Sequence, residues 1–310
     1  MLALPSSTLP GSLVSGRPLK EAISCEVYVI NLARVNDRWQ RLSEVLEHMG
    51  VPVTRVDAFD GFSNLQEVLA VRGLVADRNS GIIAHCNPYR WNGRSYTVSE
   101  EACFLSHLKA LRASSESGSP FGLILEDDAV LPPHLFADKG PIAQCLQVAG
   151  DWDIVKLEGT KRRGWRLAVV HHRFAVGRLV ASLRPSLGSA AYLVSRKGAE
   201  ALLRACPAAT EPFDMVLVDT GFHRARLLDY TPYPVDQDAN AISHNRRVPN
   251  LKSLRPRLMR KCSRLSRTLT RLWQIGKHRV FPIDICRWVV PEAGGKLDLN
   301  GSSLEVGRCE

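Results

Sequence analysis

The sequence predicts an α/β fold: a mixed, mainly parallel sheet flanked by helices, followed by a basic, helical C-terminal tail. Three observations carry this. Apolar strand-length runs alternate with amphipathic helix-length stretches, the first connections between them are short, and the cationic excess is concentrated late in the chain. The 310 residues are 45% hydrophobic and 23% charged, enough to bury a sizeable core and unlike a disordered chain.

The run VYVINL at 27–32 reads as a buried strand, because β-branched and aromatic residues follow one another without polar interruption. Asn36 is placed to cap a helix whose apolar face is Trp39, Leu42, Val45, Leu46 and Met49, and Gly50 to end it. VTRVDAF at 53–59 supplies a second strand, so a strand–helix–strand unit with a right-handed crossover opens the domain. After the Asp60-Gly61 turn, Ser63 and Gln66 form a capping-box pattern for a short helix. Residues 73–95 are polar and poorly periodic and read as a long loop. Thr97 and Glu100 form a second capping box, opening a helix to about Ser115 with Ala102, Cys103, Leu105, Leu108 and Leu111 inward. Further strands are predicted at FGLILE, DIVKL and SAAYLV, the last feeding a helix capped by Ser195, and at LLDY before the proline-rich TPYPVDQD. Lys156, inside DIVKL, reads as a surface lysine with a snorkelling stem.

Charge divides the chain. The formal net charge is +10, yet 246–279 holds twelve Lys or Arg and no acid, which leaves the remainder near −2. In LKSLRPRLMRKCSRLSRTLTRLWQI, leucines recur at helical spacing with Arg and Lys on the other faces. Such a cationic amphipathic helix, over 251–275, suits the surface of an anionic membrane, or its leucine face packs on the domain with the arginines solvated. The domains expected are a flexible extension at 1–24, a folded domain at 25–245, a basic amphipathic segment at 246–290 and a flexible tail at 291–310. Eight cysteines without metal-ligand spacing point to reduced thiols. With no signal-peptide core near the start and no run of about 18 apolar residues, the expected location is cytoplasmic, peripheral on the inner face of a bacterial inner membrane.

LILEDDAVL is the most informative stretch. Three consecutive carboxylates, Glu126, Asp127 and Asp128, end an apolar strand, and charges there need a compensating partner. A divalent cation with a nucleotide diphosphate is one such partner, since hard oxygen ligands suit Mg²⁺ or Mn²⁺, and open α/β sheets bind ligands at the carboxyl ends of strands. Capping of the next turn or pairing with Arg and Lys is the other reading. Strand alternation puts Glu126 and Asp128 on one side and Asp127 on the other.

In order along the chain, VYVINLARVNDRWQRL, DAFDG, SEEACFLSHLKAL, LILEDDAVL, GSAAYLVSRKGAEALL and PFD resemble glycosyltransferase family 25, the bacterial lipooligosaccharide transferases related to collagen galactosyltransferases. The resemblance covers roughly 26–240. It implies a glycosyltransferase-A-like fold, a UDP-sugar donor, Mn²⁺ or Mg²⁺, and inversion at the anomeric carbon. It implies that Glu126, Asp127 and Asp128 form a variant of the D-x-D motif, with Asp128 a direct metal ligand and Glu126 beside the metal or ribose. Asn31, Arg34, Arg38 and Asp60 are then donor-binding candidates together with these acids, Arg34 and Arg38 also being readable as an exposed helix start. Glu100, Cys103, Ser106 and His107 match the pattern G-E-x-G-C-x-x-S-H, with Ser99 and Ala102 in place of its glycines and Glu101 in place of an apolar residue. Glu100, Ser106 and His107 are read as site-supporting, with His107 as a packing element or a catalyst, and Cys103 as a small hydrophobe.

Inverting transfer needs a base for the acceptor hydroxyl. Asp214, in PFD, is the candidate, with Asp219 and Asp60 as alternatives; Asp214 is equally placed to cap the helix that follows. The expected function is an inverting, metal-dependent hexosyl transfer, galactose before glucose, from a UDP-sugar to a lipid-linked oligosaccharide. The alternative is a cationic protein that binds nucleic acid or glycans through its tail on a degenerate transferase domain, although no nucleic-acid motif is visible. A metal-dependent phosphohydrolase would need further ligands, and His171-His172 lacks the spacing to supply them.

Overall fold

The computed structural model describes residues 25–61, 63, 70, 97–159, 165–206, 211–238, 268–269, 271–272 and 285–289. Strand β1 (Cys25–Asn31) leads through helix α1 (Asn36–His48) to β2 (Val53–Asp57), which pairs with it in parallel. Helix α2 (Val98–Glu116) precedes β3 (Phe121–Glu126), parallel to β1 on its other side. The short β4 (Ala129–Val130), helix α3 (Pro141–Gln147) and strands β5 (Ile154–Lys156), β6 (Trp165–Arg173), β7 (Arg178–Ser182) and β8 (Ala191–Ser195) follow. Helices α4 (Arg196–Ala205), α5 (Phe213–Val218) and α6 (Thr220–His223) precede β9 (Leu227–Thr231), β10 (Asp236–Gln237) and β11 (Ile285–Val289).

Among the described residues, the main sheet has nine strands in the order β11-β6-β7-β9-β5-β8-β3-β1-β2, with β10 and β4 pairing separately. Following the pairings, β2, β1, β3, β5, β9 and β6 run one way and β8, β7 and β11 the other, the mixed sheet that the sequence predicts.

Alternation along the strands divides the core into two layers. Val27, Val29, Leu123, Leu125 and Leu193 pack with Leu42 and Leu46 of α1 and Ile142 of α3. Tyr28, Ile30, Ile124, Tyr192 and Val194 pack with Phe104 and Leu111 of α2, Leu202 of α4 and Phe213 of α5. Both faces of the central strands are covered, which is why their sequences are apolar at nearly every position. Each fully buried Leu or Ile contributes about 2–3 kcal/mol, so the centre of the sheet is a firm base for whatever its strand ends carry.

The local signals mostly hold. The capping box at α2 is formed: Thr97 Oγ1 accepts from the Glu100 amide at 3.2 Å, and Glu100 Oε2 accepts from the Thr97 amide at 3.0 Å. Ser195 caps α4, accepting from Gly198 N at 3.0 Å. Gly50, with φ +68°, follows the end of α1, as a glycine after a helix end commonly does. Asn36 departs from expectation: Val35 is the capping residue and makes no side-chain cap, while Asn36 is the first helical residue and its Oδ1 accepts from Arg55 at 3.4 Å. The Ser63/Gln66 helix and the 73–95 loop lie outside the described residues, as do the 1–24 extension and the 291–310 tail.

The basic segment is described only at 268–269, 271–272 and 285–289. Within the basic segment and beyond the 251–275 stretch read as a helix, Ile285–Val289 forms an edge strand antiparallel to β6; ICRWV is rich in β-branched and aromatic residues, which favour a strand. The reading in which leucines face the domain and arginines face water is reversed where it is visible. Arg271 is buried and donates to the carbonyls of Ser182 at 3.2 Å and Leu227 at 2.7 Å, whereas Leu269 and Leu272 are 55% and 49% exposed. Among the described residues, no helix is long and apolar enough to cross a membrane.

Candidate active site

Beyond the carboxyl ends of β1 and β3 lies a cleft of about 170 Å³, between α2 and the segments that follow β1 and β2. Arg34, Arg38, Asp60, Cys103, Ser106, His107, Glu126, Asp127 and Asp128 contribute to its walls. Most of the sequence-predicted residues are therefore brought to one place. Asn31, Glu100 and Asp214 are not among its lining residues.

The three acids have three different surroundings. Glu126 continues the face of Ile124 toward α2, where its Oε1 lies 3.3 Å from His107 Nε2 and accepts from Ser189 Oγ at 2.6 Å. Burial pushes the Glu126 carboxyl up, but His107, the Ser189 hydroxyl and the charge of Lys156 outweigh it and hold the group below its ordinary range. Asp127 turns to the opposite face. It accepts from Asn31 Nδ2 at 2.7 Å and pairs with Arg38 of α1 at 3.1 Å. Asp128 lies beside the other two acids and has no such partner among the described residues. Its Oδ1 is buried and accepts no hydrogen bond, and burial, then Glu126 and Asp127, raise its pKa to about 7. Its backbone carbonyl accepts from Asp238 N at 2.9 Å, fixing the turn after β3.

The remaining candidates divide into cleft and framework. Arg34, 41% exposed at its side chain, pairs with Asp60 at 2.6 Å across the cleft wall. Asn31 is buried and its side chain is used internally, since Nδ2 also donates to Val35 O at 2.9 Å and Oδ1 accepts from Arg55 at 2.7 Å. Glu100 serves the capping box. Ser106 Oγ donates to Ala102 O at 2.6 Å and accepts from Phe59 N at 2.9 Å, tying α2 to the segment after β2. His107 is buried, stacks on Phe213 at 4.1 Å and 4°, and has Nδ1 3.2 Å from the Tyr192 hydroxyl. Cys103 is half-buried and lines the cleft, with its thiol pushed well up by burial and then by the nearby Glu126, Asp214 and Asp128 charges.

Asp214 sits in the first turn of α5, where Pro212 is the capping residue and makes no side-chain cap. Its charge acts on Cys103, Lys156 and Glu158, which puts it close to Cys103 of the cleft wall. The stretch read as one helix after Asp214 is two, broken at Asp219, whose Oδ1 accepts from Phe222 N at 3.2 Å as the cap of α6.

Lys156 is not the surface lysine the sequence suggests. It is 1% exposed, and its ammonium donates to the Gly188 carbonyl amid the charges of Glu158, Asp229 and Asp214. Four acidic neighbours and a carbonyl supply what a buried ammonium needs, and burial still lowers its pKa. Glu158 accepts from Ala190 N at 3.3 Å. Lys156 and Glu158 therefore hold the segment that delivers Ser189 to Glu126. Sequence reading missed Ser189, Tyr192, Phe213 and Glu158 as parts of the site. The available signals were a lysine interrupting an apolar strand and an acid two residues later.

A mixed α/β sheet with acids and arginines gathered at the carboxyl ends of its strands defines a class of ligand-handling α/β proteins. This chain belongs to glycosyltransferase family 25: the sequence profile "Glycosyltransferase family 25 (LPS biosynthesis protein)" matches residues 24–217. It is similar to procollagen galactosyltransferase 1 of Danio rerio, 28% identical over 188 residues, covering 59% of this chain and 29% of that protein. Procollagen galactosyltransferase 1-B of Xenopus laevis is 27% identical over 220 residues, 70% of this chain and 34% of its own. The inactive glycosyltransferase 25 family member 3 of Homo sapiens is 37% identical over 114 residues, 37% of this chain and 18% of its own. The chain thus spans about a third or less of these relatives. Among solved structures, a mannose-1-phosphate geranyltransferase from Thermus thermophilus aligns over 68% of this chain and 75% of its own, at 11% identity and a TM-score of 0.34.

Proposed function

We propose that this chain is an inverting, metal-dependent hexosyltransferase, moving a hexose, galactose before glucose, from a UDP-sugar to a lipooligosaccharide or related cell-surface glycan. The observation that carries the reading is Asp128: a carboxylate in a cleft wall, crowded by two further acids, with one buried oxygen that no protein group satisfies. An acid cluster of this kind fits a hard cation, and Asp128 is the group free to ligate it. Glu126, already engaged by His107 and Ser189, is the second candidate ligand.

Asp128 and Glu126 would hold Mn²⁺ or Mg²⁺, which would supply charge neutralisation for the departing diphosphate. The chain's own groups do the rest. Arg34 and Arg38, on the cleft wall, are suited to phosphate oxygens, while Asp60 and Asp127 hold those guanidiniums in place. Asp214 is the candidate base. It takes the proton of the acceptor hydroxyl as the new bond to the anomeric carbon forms and the bond to the diphosphate breaks. The 251–275 segment is the candidate contact with an anionic membrane surface carrying the acceptor, on the cytoplasmic side of a bacterial inner membrane; the exposed Leu269 and Leu272 support it.

The test is UDP release from a panel of UDP-sugars by purified protein with a lipid-linked acceptor, in Mn²⁺ or EDTA. Turnover of one donor is expected, lost in EDTA and reduced by a factor on the order of 10²–10³ in Asp128→Ala. No turnover of any donor, with salt-dependent binding of nucleic acid or glycan, would favour a binding protein on a degenerate transferase domain.

A further inference from the structure

Cys103, His107 and Glu126 form a side-chain cluster that a transfer site built on oxygen ligands does not require. The thiol sulfur, an imidazole nitrogen and a carboxylate oxygen all lie within 4.8 Å of one another, and all three residues line the cleft. One sulfur, one nitrogen and one oxygen is a donor set for Zn²⁺, whereas Mg²⁺ and Mn²⁺ favour oxygen throughout. The spacing is close to what Zn²⁺ imposes. With Zn–N and Zn–O bonds of about 2.0–2.1 Å, a tetrahedron places those two atoms roughly 3.4 Å apart, and His107 Nε2 lies 3.3 Å from Glu126 Oε1.

The surroundings are those of a built site. Cys103 and His107 are four residues apart on α2 and so share one helix face, on a helix whose start is fixed by the Thr97/Glu100 box. The His107 ring is immobilised by Phe213, and its Nδ1 faces the Tyr192 hydroxyl, which leaves Nε2 as the nitrogen presented to the cluster. Ser189 donates to the same Glu126 Oε1 that faces His107, and so orients the carboxylate. A histidine ligand whose second nitrogen is itself held by a protein group, as His107 Nδ1 is by Tyr192, is typical of zinc centres.

We propose that Cys103, His107 and Glu126 bind Zn²⁺, with three protein ligands and a fourth position open to the cleft. On binding, the Cys103 thiol gives its proton to solvent as the sulfur–zinc bond forms. The site is distinct from an oxygen-bound cation at Asp128 but shares Glu126 with it, so occupancy by Zn²⁺ withdraws that acid from any reaction that uses it.

Co²⁺ serves as the spectroscopic probe on the full chain and needs no activity. Titration should bring up a thiolate-to-cobalt charge-transfer band that Zn²⁺ then abolishes. Cys103→Ser should remove the band, and Ser189→Ala should weaken Co²⁺ binding about tenfold by freeing the Glu126 carboxylate. Asp128→Asn should keep the band, which separates this site from the cation of the transfer reaction. Absence of the band in the unaltered chain, or its persistence at full intensity in Cys103→Ser, overturns the proposal. Should Cys103→Ser fail to fold, the unaltered chain decides: Zn²⁺ should protect Cys103 from alkylation in peptide mass spectrometry, and an unchanged Cys103 alkylation rate at saturating Zn²⁺ overturns it.

Discussion

Lys156 and Glu158 bind the same short segment of chain: the lysine ammonium donates to the Gly188 carbonyl, and the glutamate accepts from the Ala190 amide at 3.3 Å. Between those anchors Ser189 reaches Glu126 at 2.6 Å. The end of β5 thereby sets the orientation of an acid on β3, although β8 lies between them in the sheet.

Removing either side of this arrangement should cost stability. Lys156→Ala leaves Glu158 and Asp229 buried without their cation, and a loss of about 3–5 kcal/mol is expected. Gly188→Ala should also be destabilising, by more than about 1 kcal/mol, because its φ is +112° and a methyl group there would sit 2.4 Å from Glu158 Oε2. Urea unfolding midpoints of the two variants against the unaltered chain check both.

Glu158 also gives stability a pH dependence. Burial is the main cause that raises its pKa from 4.5 to about 7. Between those values the folded chain keeps a proton that the unfolded chain has released, so stability falls as pH rises through this window. Glu158→Gln, which carries no charge in either state, should flatten the decline by on the order of 3 kcal/mol. Unfolding free energies of the two proteins from about pH 4.5 to 7.5 measure the difference.

Asp128 makes a separate prediction for the cation. With its pKa raised to about 7, the carboxylate is protonated below that pH, and a hard cation must displace the proton. Apparent Mn²⁺ affinity should rise with pH by up to about tenfold per unit below 7 and level off above it. In Asp128→Asn the binding should be weak throughout, with no such slope. Calorimetric titration with Mn²⁺ across this range reads both outcomes.

The sequence by itself determined the elements and the position of the acids. The uninterrupted apolar runs VYVIN and FGLILE marked two buried strands, and the Thr97/Glu100 and Ser195 signals marked helix starts, because these depend on residues only a few positions apart. It also placed Glu126, the last residue of β3, and Asp127, just after it, on opposite sides, as their partners on α2 and α1 bear out. Only the tertiary structure decided the electrostatics. Asp127 meets partners 96 and 89 residues away, Lys156 is buried because distant acids surround it, and Arg271 is drawn inward by two carbonyls while neighbouring leucines face out. Periodicity reports the burial preference of a side chain taken alone. The cost of burying a charge is set by which opposite charges and dipoles the folded chain brings beside it, and that is a property of packing between distant segments.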